Sequence, residues 1–316
     1  MRTGSRPRHA VTPPPPRRPR NGRPVVLAAA AVVGLLAALV LVAVVVPGAR
    51  HLLPGEAAPT TSEEASPTPE DTTDLTNPAK RDRALQLVSS AENSTLDWRA
   101  QYGYIEWDVE GVPEENRGYT AGLIGFCSGC GDMTRLVEYY ASTAPGNRLE
   151  RYLPALREQE ELGMGNVTQA GLGRAFVDDW RAAADDPLFQ AAQDHVLDLV
   201  YFDPAVEQGR ADGVHALGQF IYFDALVMHG PGTDARSFGG IRDAALQVAS
   251  PPSQGGDEVE WLDAFLDARV AAMQAERAHR DTSRVDTGQR QFLEQGNLHL
   301  NPPLRWATYG DAYRIP

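Results

Sequence analysis

Residues 77–98 read NPAKRDRALQLVSSAENSTLDW, and the fold turns on how this stretch is read. Asn77 followed by Pro78 is a helix start: an N-cap residue, then a proline at the first helical position, where its missing N–H has no partner to lose. From there Ala84, Leu85, Val88 and Ala91 fall on one helical face. Glu92 continues that stripe, because positions 85, 88 and 92 share a face, so a carboxylate stands where the periodicity calls for an apolar residue. Burial there and the negative end of the helix dipole both disfavour the charged form, which suits a general acid working near neutrality. The plain alternative is an acid turned to water at a frayed helix end.

Outward from this helix, residues 78–316 carry apolar residues at three and four spacing, as in MTRLVEYYASTA, LERYLPALREQEEL, AFVDDWRAAADDPLFQAAQDHVLDLVY, AVEQGRADGVHALGQFIYFDALVMHG and VEWLDAFLDARVAAMQAERAH. Gly- and Pro-rich joints such as HGPGTDARSFGG separate them. One segment differs: YGYIEWDVEGVPEENRGYTAGLIG, residues 102–125, is aromatic and turn-rich and reads as a small β-sheet. The expectation is a mainly helical (α+β) domain interrupted by one small sheet near its start. Trp98, Trp180 and Trp306 are expected in the core.

Before that domain the composition changes twice. Residues 1–24 form a basic tail with seven arginines and no acid, and residues 25–46 are 22 uncharged, mostly Val, Leu and Ala positions. As a helix this segment spans a bilayer core of ~30 Å, so it is a transmembrane anchor or a signal sequence. Its length and the lack of a clean A-x-A site favour the anchor. In either case the arginines stay cytoplasmic and the rest is extracellular, secreted or tethered to the membrane by this segment alone. Residues 47–77 are rich in Pro, Thr, Ser and Glu and read as a disordered linker. The chain has 29 basic and 42 acidic residues; eight of the basic ones and no acid lie in residues 1–50, which leaves 21 against 42, a net −21, outside the membrane. Such a field disfavours nucleic acid and would attract a polycation.

No G-x-S-x-G elbow, P-loop, H-E-x-x-H or strand-borne G-x-G-x-x-G is present. Cys127 and Cys130 lack the further thiolates or histidines of a metal site, and a disulfide and a pair of buried free thiols both fit them. Neither a metal nor a cofactor is expected. The chemistry falls to carboxylates: Glu92, and downstream Glu110, Glu114 and Glu115 in EGVPEENRGYT. A glycosidase needs one protonated and one ionised carboxyl across the scissile bond, and a wider separation admits the water that gives inversion.

At this point the sequence resembles glycoside hydrolase family 46, the chitosanases of the lysozyme-like superfamily. The resemblance runs from about Leu85 to Tyr313, through LVSSAENSTLDW, RGYTAGLIGFCSG, GDM, VYFDPAV, ADGVHALGQFIYFDALVMHGPG, SFGGIR, QGGDE, FLDAR, DTSRVDT and NLHLNPPLRWATYGD in one order. It implies a two-lobed, lysozyme-like helical domain at 78–316 with a small sheet beside the cleft. It also implies endo-hydrolysis, with inversion, of the β-1,4 bonds of chitosan, a polymer of glucosamine; a monomer is expected.

By the same resemblance Glu92 falls on the general acid, Thr120 on the threonine that positions the attacking water, and Tyr104, Arg117 and Asp132 on substrate-contacting residues. Asp224, Arg269 and Arg284 match a charge network supporting the acid. The general base of the family is an Asp two residues before R-G-Y-T; here that position is Glu115, preceded by an insertion, WDVEGVPEE, so Glu114, Glu110 and Asp108 stay open as alternatives. Other readings are a hydrolase of chitin or peptidoglycan on the same fold, for which an acidic cleft has no use, and an inactive carbohydrate-binding surface protein.

Overall fold

The computed structural model describes residues 71–276 and 281–316. The basic tail, the apolar segment and linker residues 47–70 lie outside the described residues. Among the described residues no helix is long and apolar enough to cross a membrane.

The first helix, α1, spans Pro78–Glu92, and the Asn77 side chain accepts from Ala79 N–H at 3.0 Å, as an N-cap does. Ala84, Leu85, Leu87, Val88 and Ala91 are buried, and the helix ends at Glu92 itself. Leu75, in the stretch expected to be linker, is fully buried and donates its N–H to Gln219 Oε1 at 2.9 Å. The buried Lys80 ammonium donates to the carbonyls of Asp71 and Thr73, each at 2.6 Å. The last residues of the linker are therefore strapped to the domain.

Helices follow at Asp132–Thr143 (α2), Leu153–Leu162 (α3), Gly173–Ala183 (α4), Pro187–Leu197 (α5), Asp203–Asp212 (α6), Ala216–His229 (α7), Phe238–Leu246 (α8), Glu258–Ala275 (α9) and Arg290–Glu294 (α10). Two long periodic stretches are each broken into two helices. Asp186 caps α5, whose first residue is Pro187, and Gly213 ends α6 in the left-handed region at φ 79°. Helix α7 is buried on every side from Ala216 to Val227 and forms the centre of the core. Each of its large apolar side chains contributes about 1.5–3 kcal/mol by burial. Trp98, Trp180 and Trp306 are core residues, 8%, 0% and 5% exposed.

The expected small sheet is antiparallel, β1 (Ile105–Trp107), β2 (Tyr119–Ala121) and β3 (Phe126–Cys127), with β2 central and Thr120 paired to both Glu106 and Cys127. Two features correct the sequence reading. A second sheet exists, the hairpin β4 (Leu304–Thr308) and β5 (Asp311–Ile315), turning through Tyr309 and Gly310 at φ 51° and 89°, the two positive values a tight two-residue hairpin requires. The stretch read as a Gly-rich joint also contains the start of α8, where Gly240 lies so close to the preceding loop that a Cβ would fall 2.0 Å from the Asp234 carbonyl oxygen. Gly239, whose Cβ would fall 2.3 Å from the Gly232 carbonyl oxygen, and Gly240 are there for close approach, not for flexibility. Gly240→Ala is therefore expected to destabilise the domain by ~1–3 kcal/mol, read as a lowered urea midpoint with an unchanged slope.

Candidate active site

Glu92 emerges from the C-terminal end of α1 with its side chain 24% exposed, and Arg284 donates from one terminal nitrogen to Glu92 Oε1 at 2.5 Å. The same guanidinium donates from Nε to Asp224 Oδ2 at 2.9 Å and from its other terminal nitrogen to Asp224 Oδ1 at 2.6 Å. Arg269 closes on Asp224 Oδ2 from the far side at 2.8 Å and donates to Gln289 Oε1 at 2.9 Å. Gln289 in turn donates to Asp224 Oδ2 at 2.5 Å. Asp224, Arg269, Arg284 and Gln289 are all buried. Burial would raise the Asp224 pKa, but the two guanidiniums outweigh it and hold the carboxyl at about 2. The His229 side chain, itself buried, accepts from Arg269 Nε at 3.4 Å, and burial keeps its ring below the usual range.

The expected trio Asp224, Arg269 and Arg284 thus meets Glu92. Gln289 was missed. Arg284 and Gln289 lie five residues apart on a π-helical segment, Arg284–Gln289, and only the i to i+5 winding brings them to one face. A reading in α-helical periods separates them.

Opposite Glu92 stands the sheet. Thr120 is buried on β2, and its Oγ1 has no hydrogen-bond partner within the protein. Gly125, at φ 75°, separates the two: a Cβ there would lie 2.9 Å from Thr120 Cγ2 and 4.0 Å from Glu92 Oε2. A glycine is needed to leave this space open, and Glu92 and Thr120 border it together. Tyr104 donates to Glu106 Oε2 at 3.3 Å, and burial, reinforced by Glu106, pushes its phenol up to about 12, so it stays a neutral donor. Asp132, at the start of α2, accepts from the Cys127 and Met133 N–H groups at 2.8 Å each and from the Tyr201 hydroxyl at 2.6 Å. Burial raises its pKa despite those bonds. Tyr201, another residue the sequence reading passed over, sits on a second π-helical segment, Asp198–Phe202.

Cys127 and Cys130 form a disulfide. Together with Asp132 they are the one cluster of metal-ligand type among the described residues, and the bond occupies both sulfurs.

Between sheet and helices runs a cleft of about 930 Å³. Glu114, Glu115, Arg117, Gly125, Asp132 and Tyr201 are among the residues lining it. Asp108 and Glu110 are not, and neither are Glu92, Tyr104 and Thr120, which border the smaller space at Gly125 or the sheet beside it. Asp108 adopts φ 54° with Oδ1 buried, and the Glu110 side chain, 1% exposed, is bound to Arg117 Nε at 2.6 Å. Of the four acids in this loop, two face the cleft.

With this geometry in hand, comparison with known proteins is decisive. A sequence profile of glycosyl hydrolase family 46 matches residues 86–304. The chain belongs to glycosyl hydrolase family 46.

Its relatives include the chitosanase of Streptomyces sp. (strain N174), 59% identical over 241 residues that cover 76% of this chain and 84% of that protein. The chitosanase of Nocardioides sp. (strain N106) is 52% identical and covers 83% of this chain and 93% of its own. Among solved structures, a chitosanase co-crystallised with substrate is similar with a TM-score of 0.73 at 55% identity, covering 78% of this chain and all of that one. A Gynuella sunshinyii family 46 chitosanase in complex with chitotetraose gives 0.67 at 32% identity, covering 75% and 97%. The fold of this family 46 enzyme is accordingly the mainly helical, lysozyme-like one expected.

The buried charge chain of this family 46 enzyme yields a stability test. Asp224→Asn leaves two buried guanidiniums with one carboxylate fewer, and a loss of ~3–5 kcal/mol is expected by urea unfolding at neutral pH. The Asp224 pKa is lowered from 3.8 to about 2 on folding, so its stabilisation is complete above the unfolded value and lost as pH falls through the folded one. The stability gap between wild type and Asp224→Asn should therefore be constant above about pH 5 and narrow only toward pH 2.

Proposed function

We propose that the protein is an extracellular, monomeric chitosanase, secreted or tethered by its N-terminal segment, that cleaves β-1,4 bonds within chitosan chains with inversion of the anomeric carbon. Glu92 is the general acid and Glu115 the general base. The observation that carries this reading is the division of labour on Glu92: Oε1 is held by Arg284, while Oε2 borders the space shared with Thr120. The proton reaching the glycosidic oxygen therefore leaves from Oε2. As the bond breaks, the carboxylate left behind already has a guanidinium on its other oxygen, so the charge forms against a fixed partner.

Water enters on the opposite face of the sugar. Glu115, in the cleft wall, takes its proton, and the Thr120 hydroxyl orients it. Inversion requires the two carboxyls to lie about 6.5–9.5 Å apart so that this water fits between them and the anomeric carbon. Tyr104, Arg117 and Asp132 contact the sugar units. The named relatives are chitosanases, and the net −21 of residues 51–316 suits a substrate whose amines are protonated.

Glu92→Gln is expected to lower kcat on chitosan at least ~10²-fold while the fold is retained by circular dichroism, and Glu115→Gln to do nearly the same. A Glu115→Gln enzyme that keeps most activity while Glu114→Gln loses it would transfer the base to Glu114. Proton NMR of the first products should show the α-anomer; a β-anomer would refute inversion. Raising salt from about 0.05 to about 0.5 M should lower kcat/KM on chitosan through loss of steering, and a salt-independent value would remove the electrostatic part of the reading.

A further inference from the structure

In a cleft read as built for a polycation, three of the described lining residues, Arg117, Arg135 and Arg236, are themselves cations. Arg117 lines the cleft with its side chain 24% exposed, and it lies in the fields of Glu92 and Asp132. Behind it stands Glu110, in the insertion at 107–115 that departs from the family pattern. Both oxygens of Glu110 are directed at this one residue: Oε1 accepts from Arg117 Nε at 2.6 Å and Oε2 from the Arg117 backbone N–H at 3.5 Å.

We propose that Glu110, from beneath the cleft wall, neutralises Arg117 and thereby sets the preference of this subsite for free-amine over N-acetylated sugar units. The inference rests on the chitosanase reading and deepens it by naming what decides substrate class at one position. The physics is a matter of sign. An ammonium approaching Arg117 alone would meet a full positive charge; approaching the Arg117–Glu110 pair it meets almost none, while the guanidinium nitrogens not bound by Glu110 can still donate to sugar hydroxyls. An unpaired Arg117 would also compete with the substrate amine for Asp132 and Glu92. An N-acetylated unit carries no charge and gains nothing from the pairing.

Holding the loop is not what Glu110 is needed for, because backbone contacts already do it. Asp108 N–H bonds to the Gly118 carbonyl at 3.0 Å, Gly165 N–H to the Asn116 carbonyl at 2.8 Å, and Gly118 N–H to Asn116 Oδ1 at 2.7 Å. A carboxylate 1% exposed has, moreover, no direct access to a glycan. Its effect must pass through Arg117, which makes it a positioning residue.

The test is steady-state kinetics of Glu110→Gln, a change that removes charge and keeps shape, on fully deacetylated chitosan and on chitosan with about half its amines acetylated. On the deacetylated polymer kcat/KM is expected to fall about tenfold at low ionic strength, mainly through KM, and the loss should shrink at about 0.5 M salt. On the half-acetylated polymer the fall should stay below about threefold. Combining Glu110→Gln with Arg117→Gln removes both charges and should bring the ratio of the two kcat/KM values back to within about twofold of wild type. Equal losses on both polymers, carried by kcat and indifferent to salt, would overturn the proposal. Should Glu110→Gln fail to fold, the double variant is compared with Arg117→Gln alone, which bares the Glu110 charge and should favour the amine polymer; equal ratios overturn the proposal there too. Absence of chitosan hydrolysis by the unsubstituted protein would refute the function reading itself, and is measured first.

Discussion

Arg284 is the hinge of the structure. One guanidinium, buried and planar, spans the gap between the carboxylate at the end of α1 and the carboxylate in the middle of α7, and Arg269 from α9 braces the second of these from behind. Three helices and a π-helical segment are thereby held to one geometry. In a low-dielectric interior a displacement of an ångström or two leaves a charge unpaired, so the elements that carry these groups have little freedom to drift. Buried ion pairs are poor devices for net stability, since well-packed apolar side chains of the same volume do as well or better. What they supply here is orientation of Glu92, with one oxygen bound and the other presented.

The sheet side works by the opposite means. Thr120 and Asp132 are fixed by backbone: the three-stranded register sets Thr120 between Glu106 and Cys127, and the N–H groups of Cys127 and Met133 hold the Asp132 carboxylate. The disulfide closes the turn between β3 and α2 and shortens the excursions of that loop. Gly125 keeps the two sides apart by having no side chain. A carboxylate held by Arg284 on one side, an unpartnered Thr120 hydroxyl on the other and an open space at Gly125 between them make a confined polar site, the kind of arrangement in which proximity can lower a barrier.

Charge is distributed on two scales. Over the whole of residues 51–316 the acidic excess acts at long range and is screened by salt. At the cleft wall the signs are local and paired, as in Glu110 with Arg117. A chain rich in acids does not therefore present an unbroken negative surface to its substrate.

Much of this was legible before any coordinates. The start of α1 at Asn77–Pro78, its apolar face, its end at Glu92 and the aromatic, turn-rich sheet segment are short-range properties, set by capping, periodicity and turn chemistry within a few residues. The ordered motifs carried the family, and with it the candidate residues Glu92, Thr120, Asp224, Arg269 and Arg284. The second hairpin is present as alternation in LRWATYGDAYRI around a Tyr-Gly turn, a weak signal because Tyr309 takes a positive φ that non-glycine residues rarely adopt. Other features had no local signal at all. Arg284 meets Glu92 across 192 positions, Gln289 joins them through a π-turn, and Glu110 rather than Glu115 takes Arg117 because the inserted loop folds one acid under the wall and leaves its neighbours in the cleft. Sequence determined which groups exist and on which local element each stands; only tertiary packing decided which charges meet, because that depends on the three-dimensional closure of distant segments and on the desolvation that closure brings.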